Sequence, residues 1–194
     1  MPVVVDAETT GINPNTDGLL ELAMVLLDVD SNGQWVRSTT LHEHVIPFPG
    51  ANINPEAMKI NQIKIEHPFR FALNEAEALN NLFQPVQDQL KRFRCQRAVL
   101  VGHNAWFDLL FMKAACDRAG LKKIPFHKFT AFDTATLAGL IYGQTVLAKA
   151  CSVAKIPFDQ DEAHSAIYDA EKTADLFCQM LNGYDALTAL SRKT

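Results

Sequence analysis

Two acidic side chains near the start of the chain, Asp6 and Glu8, could do chemistry together. They end the apolar run PVVV, which predicts a buried strand. Alternate residues of a strand point to the same face, so the two carboxylates would lie side by side. Carboxylates held close together repel each other unless a proton or a cation lies between them. Taken alone, the pair fits a solvated strand end at least as well as a site.

Two later segments carry further candidates. Asp108 follows a second apolar strand and a small polar turn in VGHNAWFD, where an acid can also stabilise the positive end of a helix. His164 and Asp169 lie five apart in AHSAIYD, and such residues are offset by about 140° on a helix. We therefore expect His164 in the loop before the helix and Asp169 on the helix itself. Alone, these two fit a capping histidine and a surface acid equally well.

Together the three segments predict a metal-dependent hydrolytic site. Four oxygen ligands without thiolates suit Mg²⁺ or Mn²⁺ better than zinc. Carboxylates that bridge two such ions, roughly 4 Å apart, can stabilise both oxygens of an in-line phosphoryl displacement. A neutral His164 could accept the proton of the attacking water.

Composition limits the class of protein. The 194 residues are 48% hydrophobic and 21% charged, which is typical of one globular domain. A net charge of -4 excludes a strongly basic nucleic-acid-binding protein. The start lacks a secretory signal and the longest apolar stretch, LLELAMVLLDV, is too short to span a bilayer, so we expect no membrane association. Four widely spaced cysteines indicate reduced core residues of a cytoplasmic protein.

The hydrophobic pattern predicts a mixed sheet with helices packed on it, in one α/β domain spanning residues 1–194. The predicted strands are Val3–Ala7, Leu19–Val29, Trp35–Ile46, Ala98–Val101 and Lys128–Phe132. The predicted helices are Asn74–Phe93, a segment that ends at Gly120, Thr134–Tyr142, Val146–Ala154 and a last helix from about Ser165 to about Asn182. Residues 47–55 are rich in proline and predict an irregular loop.

The candidate residues resemble a known family. The DxE of the first strand, the later Asp and the HxxxxD segment are similar to the DEDDh 3′→5′ exonucleases. Longer segments resemble the ribonuclease T family within that group over nearly the whole chain. They are PVVVDAETTGINPNTDGLLELA, GHNAWFD, PFHKFTAFDTATLAGL, GQTVLAKAC and AHSAIYD.

This resemblance implies a ribonuclease H-like fold and a set of catalytic roles. Asp6, Glu8, Asp108 and Asp169 would hold two Mg²⁺ ions, for which Mn²⁺ could substitute, and His164 would be the general base. The reaction would be hydrolysis of the last 3′ phosphodiester of RNA, which releases nucleoside 5′-monophosphates. Its substrates would be the single-stranded 3′ ends of transfer RNA and other stable RNA precursors.

The resemblance also implies a surface for the terminal bases. Phe107 and Phe129 match phenylalanines that stack on bases, and Glu56 matches an acid that contacts a base. Ile12 and Ile60 stand where the family has two further phenylalanines. Isoleucine can pack on a base but has no π-face, so the family's base preference does not carry over to this chain by resemblance.

The family is homodimeric, and a basic patch on one subunit holds the RNA that enters the active site of the other. Four residues match positions of that patch: Lys91, Arg97, Lys122 and Lys123. Such a cluster attracts phosphates even on an acidic protein, and its binding should weaken with salt.

Other interpretations remain open. A DNA exonuclease of the same superfamily, such as a polymerase proofreading subunit, would share the five catalytic residues. A non-catalytic nucleic-acid-binding module and a structural protein with a solvated acidic patch are further alternatives. His42 and His44 share a strand face and could bind a metal ion, but without a third ligand nearby in the sequence we favour an ordinary strand pair.

Overall fold

A five-stranded mixed sheet forms the centre of the computed structural model, which describes residues 1–191. Its strands are β1 (Pro2–Thr9), β2 (Leu19–Val29), β3 (Trp35–His44), β4 (Ala98–Gly102) and β5 (Phe126–Asp133). They lie in the order β3-β2-β1-β4-β5, with β1, β4 and β5 parallel and β2 antiparallel to both of its neighbours. All five predicted strands are confirmed, and β1 and β5 are longer than predicted. Residues 192–194 of the predicted domain lie outside the described residues.

Six helices accompany the sheet in the described part of the chain. They are α1 (Pro55–Asn61), α2 (Glu75–Arg92), α3 (Trp106–Arg118), α4 (Thr134–Tyr142), α5 (Leu147–Val153) and α6 (Ala166–Ser191). No described helix combines the length and the apolar character that crossing a bilayer requires.

Two predictions about the helices were wrong in extent. The segment predicted as irregular loop ends in α1, which begins at Pro55 because proline suits the first position of a helix and the Asn54 side chain accepts the N–H of Glu56. The last helix continues to Ser191 instead of ending near Asn182.

Local capping explains where α2 and α4 begin and where α4 ends. The Asn74 side chain accepts the N–H of Glu77 and starts α2. The Asp133 carboxylate accepts the N–H groups of Ala135 and Thr136 and starts α4, which ends at Gly143 in a left-handed conformation with φ +67°. These capping residues fix where α2 and α4 leave the edge of the sheet.

The sheet is covered on both faces, and β2 shows why. On one face Leu22 and Met24 pack in a core cluster with residues of α2 and α3. On the other face Ala23, Val25 and Leu27 pack in a cluster with α6. Because both faces are buried, β2 reads as a continuous apolar run and not as an alternating pattern.

Helix α6 packs on the sheet through small side chains. Ala166, Ala170 and Ala174 are fully buried in the cluster that also holds Val4 of β1. Alanine at these positions lets the helix axis lie close to the strands. Since α6 also carries Asp169, this packing determines how near that acid comes to β1.

We expect Ala170→Leu to destabilise the protein by about 1–3 kcal/mol, because extra methylenes in a packed interface force the helix away from the sheet. Urea unfolding measures the change. Ile167→Leu on the exposed side of the same helix is the matched control and should stay within about 0.5 kcal/mol. Unchanged stability in Ala170→Leu would show that close packing of α6 is not required.

Candidate active site

Three carboxylates converge at the end of β1. Asp6 and Glu8 point to the same face of the strand, and Asp169 lies in the first turn of α6, which packs on that face. One oxygen from each of the three lies within 4.8 Å of the others. The structure thus brings together residues separated by more than 150 positions in the chain.

Asp108 reaches the same region from the first turn of α3. Its side chain is buried, and the backbone N–H of Ala7 hydrogen-bonds to it. A Cβ atom added to Gly102 would lie 3.0 Å from Asp108 Oδ2 and 3.0 Å from the Cα of Ala105. A side chain where β4 turns towards α3 would therefore press on Ala105 and on the Asp108 carboxylate. Asp108 is not part of the group of three within 4.8 Å, but its charge raises the pKa of Asp6.

The electrostatics of β1 are dominated by burial and repulsion. Burial, followed by the charges of Asp108 and Glu8, raises the pKa of Asp6 well above its usual range. Burial and the charges of Asp169 and Glu21 raise the pKa of Glu8 to about 8. Sequence reasoning missed Glu21, because only the pairing of β1 with β2 places it opposite Glu8.

The other two acids are shifted in the same direction. Burial raises the pKa of Asp108 to about 8, although backbone N–H groups that bond to its carboxylate oppose the shift. Burial also raises the pKa of Asp169, and the backbone N–H of His164 opposes it. All four carboxyl groups are therefore harder to ionise than isolated ones, and a bound cation would remove the difficulty.

His164 lies two residues before α6, as expected from its spacing to Asp169. Its side chain is exposed, and its backbone adopts the left-handed conformation with φ +67°. The backbone N–H of His164 donates to Asp169 Oδ2 at 3.1 Å. This bond ties the loop that carries the histidine to the acid cluster.

The donor set fits divalent metal ions. The three clustered groups are all carboxylates, and Asp169 Oδ1 is buried without a hydrogen-bond partner. Buried polar atoms normally have partners, so this oxygen and the raised pKa values indicate that the cluster is built to receive a cation. Oxygen donors of this kind suit Mg²⁺ and Mn²⁺.

The turn before α3 is held by residues of β5 and α4. Asp133 Oδ1 accepts the backbone N–H of Asn104 at 2.8 Å, and Thr134 Oγ1 bonds the carbonyl of Gly102 at 3.2 Å. The His103 ring lies between Thr134 Oγ1 and the carbonyl of Thr145. Both contacts of His103 come from residues 31 and 42 positions away, so the local sequence around it does not reveal them.

Most of the side chains expected to contact bases are exposed. Ile12, Ile60 and Phe129 are 81%, 56% and 86% exposed, and Glu56 is exposed in the first turn of α1. Phe107 is half-buried, and its ring centroid lies 4.8 Å from that of the core residue Phe111. Phe107 therefore has a packing role in addition to any contact with a base.

The basic residues divide into two groups. Arg97 and Lys122 line a groove of about 630 Å³ together with Phe129, Lys113 and Lys128. The other two predicted residues, Lys91 and Lys123, are exposed and do not line this groove. Lys91 pairs with Asp88 at 2.8 Å. Lys113 and Lys128 were missed because they come from separate segments without a local basic run.

Comparison with known proteins places the chain among nucleases. A family model described as an exonuclease (RNase T) matches residues 3–177. Ribonuclease T of Actinobacillus pleuropneumoniae serotype 5b is 53% identical over 182 residues, which cover 94% of this chain and 84% of that protein. Ribonuclease T of Vibrio vulnificus strain YJ016 is 52% identical over 187 residues, which cover 96% and 86%.

Solved structures show the same fold at low sequence identity. The nuclease domain of 3′hExo, a DEDDh family member bound to rAMP, has a TM-score of 0.69 at 19% identity and covers 93% of this chain and 91% of that chain. Escherichia coli exonuclease I in complex with a dT13 oligonucleotide has a TM-score of 0.69 at 17% identity, with 97% and 42% covered. The predicted ribonuclease H-like fold is thereby confirmed.

We expect the metal-free protein to lose stability as pH rises through the neutral range. Glu8 and Asp108 have pKa values of about 8 in the folded protein against ordinary values of 4.5 and 3.8. The folded protein therefore binds more protons than the unfolded chain between about pH 4 and about pH 8, and the free energy of unfolding falls across that window. Thermal unfolding in EDTA measures this.

Asp6→Asn removes one carboxylate from the cluster. The variant should therefore be more stable than the wild type without metal and less stable than the wild type with it. In EDTA at pH 8 the variant should melt above the wild type, by roughly 2–4 °C for each kcal/mol of repulsion removed. With saturating Mg²⁺ the wild type should gain stability and the variant should not. Asp161→Asn, on an exposed loop, is the control and should follow the wild type. Identical melting curves for wild type and Asp6→Asn would contradict the repulsion.

Proposed function

This chain belongs to the ribonuclease T family of exonucleases, and we propose that it is a 3′→5′ exoribonuclease that trims the 3′ ends of transfer RNA and other stable RNA precursors. The observation that carries the proposal is the group of three carboxylates within 4.8 Å, joined by the buried Asp108. Residues 1–194 would act as one exonuclease domain, of which the family match covers 3–177.

The acids would act as the metal ligands. Asp6, Glu8, Asp108 and Asp169 would hold two divalent ions, with Mg²⁺ as the proposed metal and Mn²⁺ as a substitute. The chemistry that such ions supply when bound is polarisation of the phosphate and stabilisation of charge on the leaving oxygen. The raised pKa values support this role. They show that the ionised carboxylates are destabilised in the folded protein, and a bound cation would stabilise them.

His164 would accept the proton of the attacking water. Its exposed ring stands on a loop tied to Asp169, so it can reach solvent while it stays beside the cluster. Water adds to phosphorus, the bond from phosphorus to the 3′ oxygen of the preceding nucleotide breaks, and that oxygen takes up a proton. The products are a nucleoside 5′-monophosphate and an RNA with a new 3′ hydroxyl.

The exposed apolar side chains would contact the terminal bases. Phe129 and Phe107 supply aromatic faces, and base stacking on such faces contributes roughly 1–3 kcal/mol per base. Ile12 and Ile60 provide apolar surface for a base to pack on but have no π-face. The Glu56 carboxylate can accept a hydrogen bond from an exocyclic amine of a base. Binding should therefore depend more on the two phenylalanines than on the two isoleucines.

We propose that two copies of the chain form a dimer in which the basic surface of one holds RNA at the site of the other. Exposed apolar side chains on β5 and α4 support an interface on this side of the molecule. Phe132, Leu140 and Ile141 are 43%, 85% and 52% exposed. The proposed location is the cytoplasm, which fits four free cysteines, three of them buried.

A 5′-labelled RNA hairpin with a short single-stranded 3′ overhang tests the activity. We expect stepwise shortening from the 3′ end in Mg²⁺ and none in EDTA. His164→Ala should slow the reaction by about 10²–10⁴-fold, which is typical of a lost general base. Asp6→Asn should slow it by at least about 100-fold, as expected when one electrostatic contribution to the transition state is lost.

The same assay separates the alternatives. A DNA hairpin of matched sequence that is shortened faster than the RNA would favour a DNA exonuclease. A protein that retards the RNA in a gel but leaves it intact in Mg²⁺ and Mn²⁺ would favour a binding module. Asp161→Asn should keep wild-type activity and controls for folding.

Lys122→Ala tests the groove. We expect weaker RNA binding and a shallower dependence of log K on log salt, by about 0.7 for one lost contact to a single strand. Fluorescence anisotropy of a labelled 3′ overhang at several salt concentrations measures both. Lys149→Ala, exposed on α5 and outside the groove, should leave the slope unchanged. Equal slopes for both variants would place the RNA elsewhere.

A further inference from the structure

A second group of potential metal ligands lies on β2 and β3. Glu21 is paired with His44 across the two strands, and His42 lies two residues before His44 on the same face. One ligand atom from each of the three lies within 4.8 Å of the others. The sequence favoured an ordinary strand pair because no third ligand was near. The sheet supplies that ligand from the preceding strand.

The nitrogens of both rings face the carboxylate. His44 Nδ1 lies 3.0 Å from Glu21 Oε1, and His42 Nε2 lies 3.5 Å from Glu21 Oε2. Both nitrogens are buried, and each makes its close polar contact with this carboxylate. A proton on each nitrogen lets the rings donate to the carboxylate, and a metal ion that binds both nitrogens and the carboxylate can replace those protons. Burial lowers the pKa of His44, which favours the neutral ring that binds metals.

The donor set differs in kind from the acid cluster of the active site. Two imidazoles and one carboxylate suit Zn²⁺ and similar late divalent metals, whereas carboxylates alone suit Mg²⁺. Three protein ligands leave a coordination position open, and the His44 side chain is 36% exposed, so solvent can occupy it. The nearby guanidinium of Arg70, which donates to the carbonyls of Leu20 and Val45, adds positive charge and weakens the affinity of this site.

We propose that Glu21, His42 and His44 form a binding site for a late divalent metal ion of the Zn²⁺ type. Strand pairing places Glu8, Glu21 and His44 in one row across the sheet, so the two sites lie one strand apart. A cation on Glu21 replaces negative by positive charge beside Glu8. Loading this site therefore weakens the binding of Mg²⁺ at the acid cluster, and Mg²⁺ weakens the binding of Zn²⁺ by the same factor.

Calorimetric titration with Zn²⁺ tests the site on full-length, tag-free protein with Cys95→Ser, which removes the one half-buried free thiol. The protein for this titration also carries Asp6→Asn, which weakens metal binding at the acid cluster. We expect one equivalent of Zn²⁺ to bind. Adding His42→Gln or His44→Gln should weaken that binding by at least about tenfold, a loss of about 1.4 kcal/mol.

The ¹⁵N chemical shifts of the histidine rings, measured by NMR, report metal binding directly and without substitutions at the site. In protein without these substitutions, Zn²⁺ should shift His42 Nε2 and His44 Nδ1 to metal-bound values. Ring nitrogens that stay unshifted in saturating Zn²⁺ would overturn the proposal and assign the cluster to contacts between the rings and Glu21. Binding that is unaffected by both glutamine substitutions would overturn it as well. If a variant fails to fold, as judged by circular dichroism, the ring shifts decide.

Discussion

Repulsion between carboxylates held in one place is the constraint on which the rest of the structure depends. Asp6, Glu8, Asp108 and Asp169 come to the end of β1 from three elements, and the pKa of each is raised. Such an arrangement opposes folding at neutral pH. The chain offsets it by placing β1 at the centre of the sheet, where residues 3–5 are fully buried and helices cover both faces.

Bringing the acids together also requires that backbones approach closely. Gly102 leaves room for the Asp108 carboxylate, since a Cβ there would lie 3.0 Å from one of its oxygens. Ala166 and Ala170 do the same for Asp169 by letting α6 lie against β1 and β2. The residues that position the site are thus the smallest ones near it. A larger side chain at Gly102 would press on the Asp108 carboxylate itself, whereas one at Ala166 or Ala170 would move α6 and its acid away from the sheet.

Local patterns predicted most of the fold and which acids lie together at the end of β1, and long-range pairing decided what they missed. β2 and α4 have the predicted bounds because each combines a continuous apolar pattern with clear ends. The acids could be predicted because strand alternation and helix spacing are local. Glu21 could not, since only strand register places it opposite Glu8, and the groove gathers Lys113 and Lys128 from separate segments. Helix α1 was missed because one capping side chain starts it within a proline-rich stretch.

The negative charge at β1 is neutralised differently on its two sides. Towards β3, Glu21 adds a further acid beside Glu8, but a hydrogen bond from His42 and the electrostatic effects of His42, His44 and Arg70 outweigh burial and lower its pKa. Towards α6, the charges of the exposed His164 and of His103 act on Asp169 against burial, and the proposed role of His164 as general base requires a neutral ring. Protein groups therefore compensate the first side in place. On the second side, cations brought from solution must complete the balance before the acids can all be ionised together.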